Sequence, residues 1–260
     1  MILDVEIKEK AVEYGVPAST VERDYAQNWL LGSLGAHFEM ALKGGTGIRK
    51  VFIDGYRFSD DLDFTLLREY SFDDVKMGLM YAVSEARTRS GIEFLDDVVV
   101  NEVDNGFVGV AYFRVLRSTG NPLRIKLDLT KCDNEVVVLQ PESRMIHHMY
   151  SDEFSYSVLS YCFEELFSEK IRALFERTRP RDLYDIWMLK DFELEISDVV
   201  VRKFHFKEIV FDLEDLEQRK GYFDAAWRNS LGHQLRDLPE FETVFMEVID
   251  FLTRLEDLFE

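Results

Sequence analysis

Residues 43–64 read KGGTGIRKVFIDGYRFSDDLDF, and the rest of the chain is organised around them. Their first part is a glycine-rich turn, in which a backbone without side chains can bring N–H groups close to phosphate oxygens. Their last part predicts a strand on which Asp61 and Asp63 share one face, because strand side chains alternate. Paired carboxylates can share a hard cation such as Mg²⁺, which prefers oxygen ligands. The stretch therefore predicts metal-assisted chemistry on a nucleotide.

The composition describes a globular chain with a strongly acidic balance. Its 260 residues, 47% of them apolar, can bury a core as one large or two smaller domains. No apolar run approaches the roughly 20 residues of a membrane span. The first six residues lack the basic segment followed by an apolar segment that is typical of a signal peptide. We therefore expect a cytoplasmic protein. The net charge of −19 disfavours broad adhesion to nucleic acids or anionic membranes but allows a local basic site.

Sequence periodicity predicts an α+β fold, with a mixed sheet followed by helices. Helical patterns cover residues 3–34 and about 72–88, and Ser19 or Thr20 is expected to cap the second helix. Strand patterns cover residues 38–42, 93–102, 106–116 and 123–130. Helix formers dominate after residue 150. We expect one domain with leading helices over residues 1–150 and a helical C-terminal domain over residues 151–260.

The strand pattern at residues 123–130 carries a further aspartate on a polar face. Apolar residues take one side of this strand, while Arg124, Lys126 and Asp128 take the other. A lone aspartate near a strand end is usually structural. The pattern alone therefore leaves the role of Asp128 open.

Five short motifs, taken in their order, resemble a known family. They are VERDY at 21–25, GGT with Arg49 at 44–49, RFSDDLDF at 57–64, EKIRAL at 169–174 and RDLYD at 181–185. Together they resemble the AbiEii/AbiGii-type toxins, type IV toxin–antitoxin proteins of the polymerase β-like nucleotidyltransferase superfamily. The resemblance covers the chain from about residue 16 to the last helix. It implies a nucleotidyltransferase core with a helical C-terminal domain.

The resemblance also implies roles for the acidic residues and the turn. An aspartate on a later strand completes a carboxylate triad in the family, so Asp61 and Asp63 are expected to hold Mg²⁺, or Mn²⁺, while Asp128 joins them and acts as the base. The leading helix lies by the active site in the family, so Arg23 or Asp24 is expected to orient the centre. The predicted nucleotide contacts near the turn are Gly44, Gly45, Thr46, Arg49, Arg57 and Ser59.

A basic segment interrupts the acidic second half of the chain. Six basic residues fall within positions 170–190, and read alone they could form a solvated helix face. Their place in the second family block implies contact with the triphosphate instead. Lys170 is expected to offset charge on departing pyrophosphate. Arg181, Asp182 and Asp185 complete the predicted nucleotide-binding residues, and the two aspartates could also orient Lys170 or a neighbouring arginine.

These expectations lead to one function with several alternatives. The enzyme would transfer a nucleoside monophosphate from an NTP to an acceptor hydroxyl, which the resemblance suggests is the 3′ end of tRNA, within a toxin–antitoxin pair. A protein or small-molecule acceptor, or a non-catalytic nucleotide-binding module, would keep the same motifs. Arg228 to His233 also match a short ribonuclease signature of the HEPN type. Gly232 weakens the helix which that signature needs.

Overall fold

The structure, a computed structural model, describes residues 1–116 and 119–259, which divide into two compact units. The first unit comprises Met1–Glu135 and Pro141–Tyr161, and the second comprises Val136–Gln140 and Cys162–Glu260. The division falls after residue 161 and not after the predicted residue 150. The reason is that the strand Ser157–Ser160 still pairs within the sheet of the first unit.

Among the residues that the structure describes, the first unit contains an eight-stranded mixed sheet and four α-helices. The helices are α1 (Asp4–Glu13), α2 (Ala18–Leu34), α3 (Gly44–Gly47) and α4 (Phe72–Ser90). The strands are β1 (Met40–Lys43), β2 (Asp61–Leu66), β3 (Glu93–Phe94), β4 (Val99–Val103), β5 (Gly106–Arg114), β6 (Leu123–Thr130), β7 (Glu142–Met145) and β8 (Ser157–Ser160). The predicted α+β class with a mixed sheet is confirmed.

The strand order places β2 and β6 at the middle of the sheet. The order is β3-β5-β6-β2-β1-β8-β7, and β4 pairs with β5 at one side. The strand β2 runs parallel to β6, and β1 runs parallel to β8, whereas the other pairs are antiparallel. Aspartates from two distant parts of the sequence are therefore carried on neighbouring strands.

One face of the sheet packs into the core of the first unit. Ile125, Leu127 and Leu129 on β6 are buried in one cluster with Leu79 and Val83 of α4. The alternating residues on the other face of β6 are partly exposed. Because strand side chains alternate, the apolar face fixes the direction in which the polar face points.

Two local expectations need correction. The helix α2 starts at Ala18 after Pro17, so Ser19 and Thr20 lie inside its first turn and no side chain caps it. The fixed φ of Pro17 already directs the chain into the helix. The predicted strand over residues 93–102 is divided into β3 and β4, because the polar residues Asp96 and Asp97 between them do not pair in the sheet.

The second unit is built mainly from helices. They are α5 (Phe163–Glu176), α6 (Pro180–Leu189), α7 (Ser197–Phe206), α8 (Leu213–Gln218), α9 (Lys220–Leu231) and α10 (Phe241–Thr253). Lys203, completely buried on α7, lies 2.6 Å from Oε1 of Glu165 and donates to the carbonyl of Val136. The Glu165 carboxylate accepts the N–H groups of Val138 and Leu139, so these contacts tie residues 136–140 to the helices. Across residues 1–116 and 119–259, none of the helices has the length and apolar content needed to cross a membrane.

Candidate active site

The register between β2 and β6 brings the three predicted carboxylates onto one face of the sheet. Asp63 lies opposite Asp128, and Asp61 lies opposite Lys126. Neighbouring strands are about 4.8 Å apart, and register partners project to the same side. All three aspartates are partly exposed. The sheet therefore presents three acidic side chains as one patch. Asp61 and Asp63 lie two positions apart on β2, and Asp128 lies beside Asp63 on β6.

The donor set of this patch fits a hard divalent cation, which prefers carboxylate oxygens. In the part of the chain that the structure describes, no three His, Cys, Asp or Glu side chains are arranged to hold a metal ion. Instead, Nζ of Lys126 donates to Oδ2 of Asp128 at 2.7 Å. Metal ligation by this oxygen would replace its ion pair with Lys126.

The glycine turn passes directly against this patch. The strand β1 ends at Lys43, opposite Asp63, and Gly44 then turns the chain with a φ of +70°. A Cβ atom at Gly44 would lie 2.5 Å from Oδ2 of Asp63, and one at Gly45 would lie 2.6 Å from Nη2 of Arg57. Only glycine allows this backbone conformation and this close approach together.

Thr46 and Arg49 support the turn from inside the protein. Thr46 is fully buried, and its hydroxyl donates to the carbonyl of Asp61. Arg49 is also buried; its Nε donates to Asp24 at 2.7 Å, and its guanidinium lies 3.7 Å from the centre of the Phe58 ring. The predicted direct contacts of Thr46 and Arg49 with a nucleotide stay predictions. Both side chains already bind protein groups beneath the turn.

Arg57 and Ser59 are likewise buried, at 3% and 9% exposure. Arg57 donates to the carbonyl of Phe58, and the backbone carbonyl of Ser59 accepts from Gln27 of α2. The predicted nucleotide contacts of both residues also stay predictions. The guanidinium of Arg57 lies against the glycine turn, where a Cβ at Gly45 would be 2.6 Å from its Nη2.

The helix α2 holds the segment between the turn and β2. Nη1 of Arg23 lies 2.6 Å from Oδ1 of Asp60, and Gln27 donates to the Asp60 carbonyl. Oδ1 of Asp24, the residue after Arg23, lies 2.7 Å from both Nε of Arg49 and Nζ of Lys50. Asp24 therefore contacts the start of the segment between the turn and β2, and Arg23 contacts its end. Both act as positioning residues.

The buried charges around Asp24 shift two pKa values. Burial alone would raise the pKa of Asp24, but Arg49 and Lys50 lower it, and the balance lies well below the usual range. Burial lowers the pKa of Lys50 to about 8, although Asp24 partly opposes this change. The carboxylate of Asp24 is therefore ionised at neutral pH and needs its two cations.

Asp24→Asn is expected to lower the free energy of unfolding by about 3–5 kcal/mol at pH 7, because it leaves buried cations without a carboxylate. The folded pKa of Asp24 lies below its ordinary value of 3.8. The stabilisation is therefore complete above about pH 4 and is lost as the pH falls further, so the difference between wild type and variant should shrink in acid. Chemical denaturation at several pH values measures this. The exposed Asp97→Asn is the control, and an equal loss in both variants at pH 7 would contradict the assignment.

Three of the predicted residues of the second unit, Lys170, Asp182 and Asp185, form a buried ion cluster. Nζ of Lys170 lies 2.9 Å from Asp182 and 2.8 Å from Asp185, and Arg177 also binds Asp182. Burial alone would raise the pKa of Asp182. Lys170 and Arg177 together lower it by more, so the pKa lies well below the usual range. Both aspartates thus orient Lys170 within this unit. Contacts of Lys170, Arg181, Asp182 and Asp185 with a nucleotide stay predictions.

Two cations near the carboxylates were not predicted as site residues. Lys126 alternates with Asp128 on β6, and this signal was visible in the sequence. Lys43 on β1 lies opposite Asp63 on β2, and its Nζ lies 3.5 Å from Oε2 of the buried Glu135. The pairing of Lys43 depends on the register of β1 and β2, which no local pattern contains.

The ribonuclease alternative is not supported by the second unit. The helix α9 ends at Leu231 and is followed by Gly232. Arg228 therefore lies in the last turn of the helix, whereas His233 lies beyond it. The two residues do not share the helix that the signature requires.

A mixed sheet that aligns three aspartates beside a glycine turn is the arrangement of a nucleotidyltransferase. The sequence model of the family described as "Nucleotidyl transferase AbiEii toxin, Type IV TA system" matches residues 30–251. The chain therefore belongs to the AbiEii family of nucleotidyltransferase enzymes, which are toxins of type IV toxin–antitoxin systems. Enzymes of this family typically depend on a metal ion.

Two solved structures have a similar fold. The fold is similar to that of MenT4, a nucleotidyltransferase toxin from Mycobacterium tuberculosis H37Rv, with a TM-score of 0.73 and 18% identity over 99% of this chain and 93% of that chain. It is also similar to a candidate nucleotidyltransferase from H. pylori, with a TM-score of 0.56 and 18% identity over 92% of this chain and 95% of that chain. No curated protein matches the sequence.

Proposed function

We propose that this protein transfers a nucleoside monophosphate from an NTP to the 3′-terminal hydroxyl of an RNA, with tRNA as the acceptor. The observation that supports this most strongly is the register that sets Asp63 opposite Asp128, two residues from Asp61 and directly against Gly44. Phosphoryl transfer depends mostly on positioning and charge neutralisation, and a divalent cation held by these carboxylates would supply both.

The chemistry assigns a role to each part of the patch. Asp61 and Asp63, with Asp128, would hold Mg²⁺ or Mn²⁺, which when bound neutralises charge on the phosphates. Asp128 would accept the proton of the acceptor hydroxyl. The acceptor oxygen then forms a bond to the α-phosphorus, the bond to the β-phosphate oxygen breaks, and pyrophosphate leaves with that electron pair. Gly44 and Gly45 would present backbone N–H groups to the phosphates.

The family supports the choice of acceptor. A toxin must act on a target that growth requires, and the 3′ end of tRNA is a hydroxyl on which translation depends. Such a reaction would take place in the cytoplasm, and a cognate antitoxin protein would limit it in the cell.

Labelled NTPs test this function directly. Purified protein is incubated with Mg²⁺, total RNA and each of the four α-labelled NTPs in turn, and the products are separated on a denaturing gel. Label in RNA of tRNA size, together with pyrophosphate release, is the expected result. Label in protein or in a small molecule would identify a different acceptor, and binding of NTP without pyrophosphate release would identify a non-catalytic module. Either of those results would overturn the proposal.

A further inference from the structure

The polar face of the sheet continues beyond the aspartates along β6 and β5. Lys126 and Arg124 precede Asp128 at two-residue intervals, which corresponds to about 7 Å per step along the strand. On β5, Val110 lies opposite Lys126, and Tyr112 lies opposite Arg124. These four residues share a face of the sheet with Asp128. We call Val110, Tyr112, Arg124 and Lys126 the β5–β6 platform.

The platform is open, in contrast to the reverse side of the same strands. Ala111 and Phe113 on β5 alternate with the platform residues and are completely buried in the core. Tyr112 is only partly buried, the side chain of Lys126 is 42% exposed, and Arg124 is exposed. An aromatic ring and two cations therefore stand on a surface that leads to Asp128.

The charge of the platform contrasts with the rest of the protein. The net charge of the chain is −19. Across residues 1–116 and 119–259, no carboxylate forms an ion pair with the guanidinium of Arg124, while Nε of Arg23 donates to its backbone carbonyl at 3.2 Å and fixes the strand. Lys126 connects the platform to the site through its ion pair with Asp128. Two cations in a line beside an aromatic ring complement a phosphate backbone with an unstacked base.

We infer that the β5–β6 platform binds the single-stranded 3′ end of the RNA acceptor. Tyr112 stacks on a base, because proteins that bind single-stranded RNA commonly stack bases on aromatic side chains of an open sheet. Arg124 and Lys126 contact successive phosphates, which directs the terminal hydroxyl towards Asp128. This inference rests on the proposed function and adds the surface that recognises the acceptor.

The test uses a double variant and a matched control. Tyr112→Ala with Arg124→Ala removes the ring and one cation but leaves Lys126, which touches Asp128. The control is Tyr81→Ala with Arg87→Ala, which also removes one ring and one positive charge. Tyr81 is exposed and Arg87 partly exposed on α4, the helix that packs on the reverse face of the sheet. Thermal denaturation confirms that both variants are folded.

The first readout is the binding of a short, fluorescently labelled single-stranded RNA, measured by anisotropy without NTP. The platform variant is expected to raise the Kd at least about tenfold and to weaken the salt dependence by about one counterion. The control variant should bind as the wild type does. Equal binding by all three proteins, or no binding by the wild type, would overturn the inference.

The second readout separates this inference from the proposed function. The platform variant is expected to raise the KM for RNA while the KM for NTP stays unchanged. If the wild type labels RNA and the platform variant does so with the same KM for RNA, the inference fails and the proposed function stands. A selective rise in the KM for NTP would show that the surface binds the donor and would also overturn it. If the wild type labels no RNA, the proposed function fails, and selective loss of RNA binding in the variant would still support the platform.

Discussion

Asp63→Asn is expected to reduce nucleotide transfer at least about a thousandfold, because the substitution removes the central charge of the carboxylate patch and several kcal/mol of charge neutralisation with it. Asp63 lies opposite both Lys43 and Asp128, and Gly44 passes against it. Asparagine keeps the shape of the side chain, so the fold should remain intact. Steady-state transfer of labelled NTP and thermal denaturation measure the two effects.

Asp60→Asn is the matched control for this prediction. Asp60 precedes β2 and pairs with Arg23 at 2.6 Å, so its substitution disturbs a positioning contact and not the patch itself. Its loss of activity should stay below about tenfold, the scale of a single exposed or half-exposed ion pair. If Asp60→Asn and Asp63→Asn lose equal activity, the face that Asp63 shares with Asp128 is not the reacting surface.

Gly44→Ala is expected to reduce transfer about a hundredfold while lowering the free energy of unfolding by roughly 1–2 kcal/mol, the strain of an alanine at positive φ. The added Cβ would lie 2.5 Å from Oδ2 of Asp63, so the carboxylate must move away from its place in the patch. Misplacement of a group at the reacting centre by about 1 Å can cost this much in rate. The transfer rate and chemical denaturation measure the two effects separately.

Gly55→Ala separates backbone strain from the clash. Gly55 has nearly the same φ, +71° against +70°, but a Cβ there would have no atom within 4 Å. The variant should lose similar stability and keep its activity. A comparable loss of activity at Gly55 would mean that general destabilisation, and not contact with Asp63, explains the effect at Gly44.

The acidic strands could be predicted from the sequence because their information is local. The alternation of Asp61 with Leu62, and of Asp128 with Leu127, is a property of each strand alone. The pairing of β2 with β6 is not local, so the position of Asp128 beside Asp63 had to be taken from the family. The strands β7 and β8 were missed because they are short, and the sequence of β7, ESRM, carries no alternating apolar residues.

The burial of the motif arginines could not be predicted, for a different reason. Arg49 and Arg57 lie next to the glycine turn in the sequence, and this suggested contact with phosphate. In the structure Asp24 and the Phe58 ring hold Arg49 inside the protein. Burial depends on how α2 packs over residues 49–60, and a short motif does not contain that packing.

A double-mutant cycle on Asp63 and Asp128 tests most directly whether carboxylates from two strands form one reacting centre. Transfer rates are measured for Asp63→Asn, Asp128→Asn and the double variant. Residues that act as a unit give strongly non-additive losses, so the double variant should be about as slow as the slower single variant. Near-normal turnover by Asp128→Asn, or losses that multiply in the double variant, would show that the two aspartates act independently and would contradict the proposed centre.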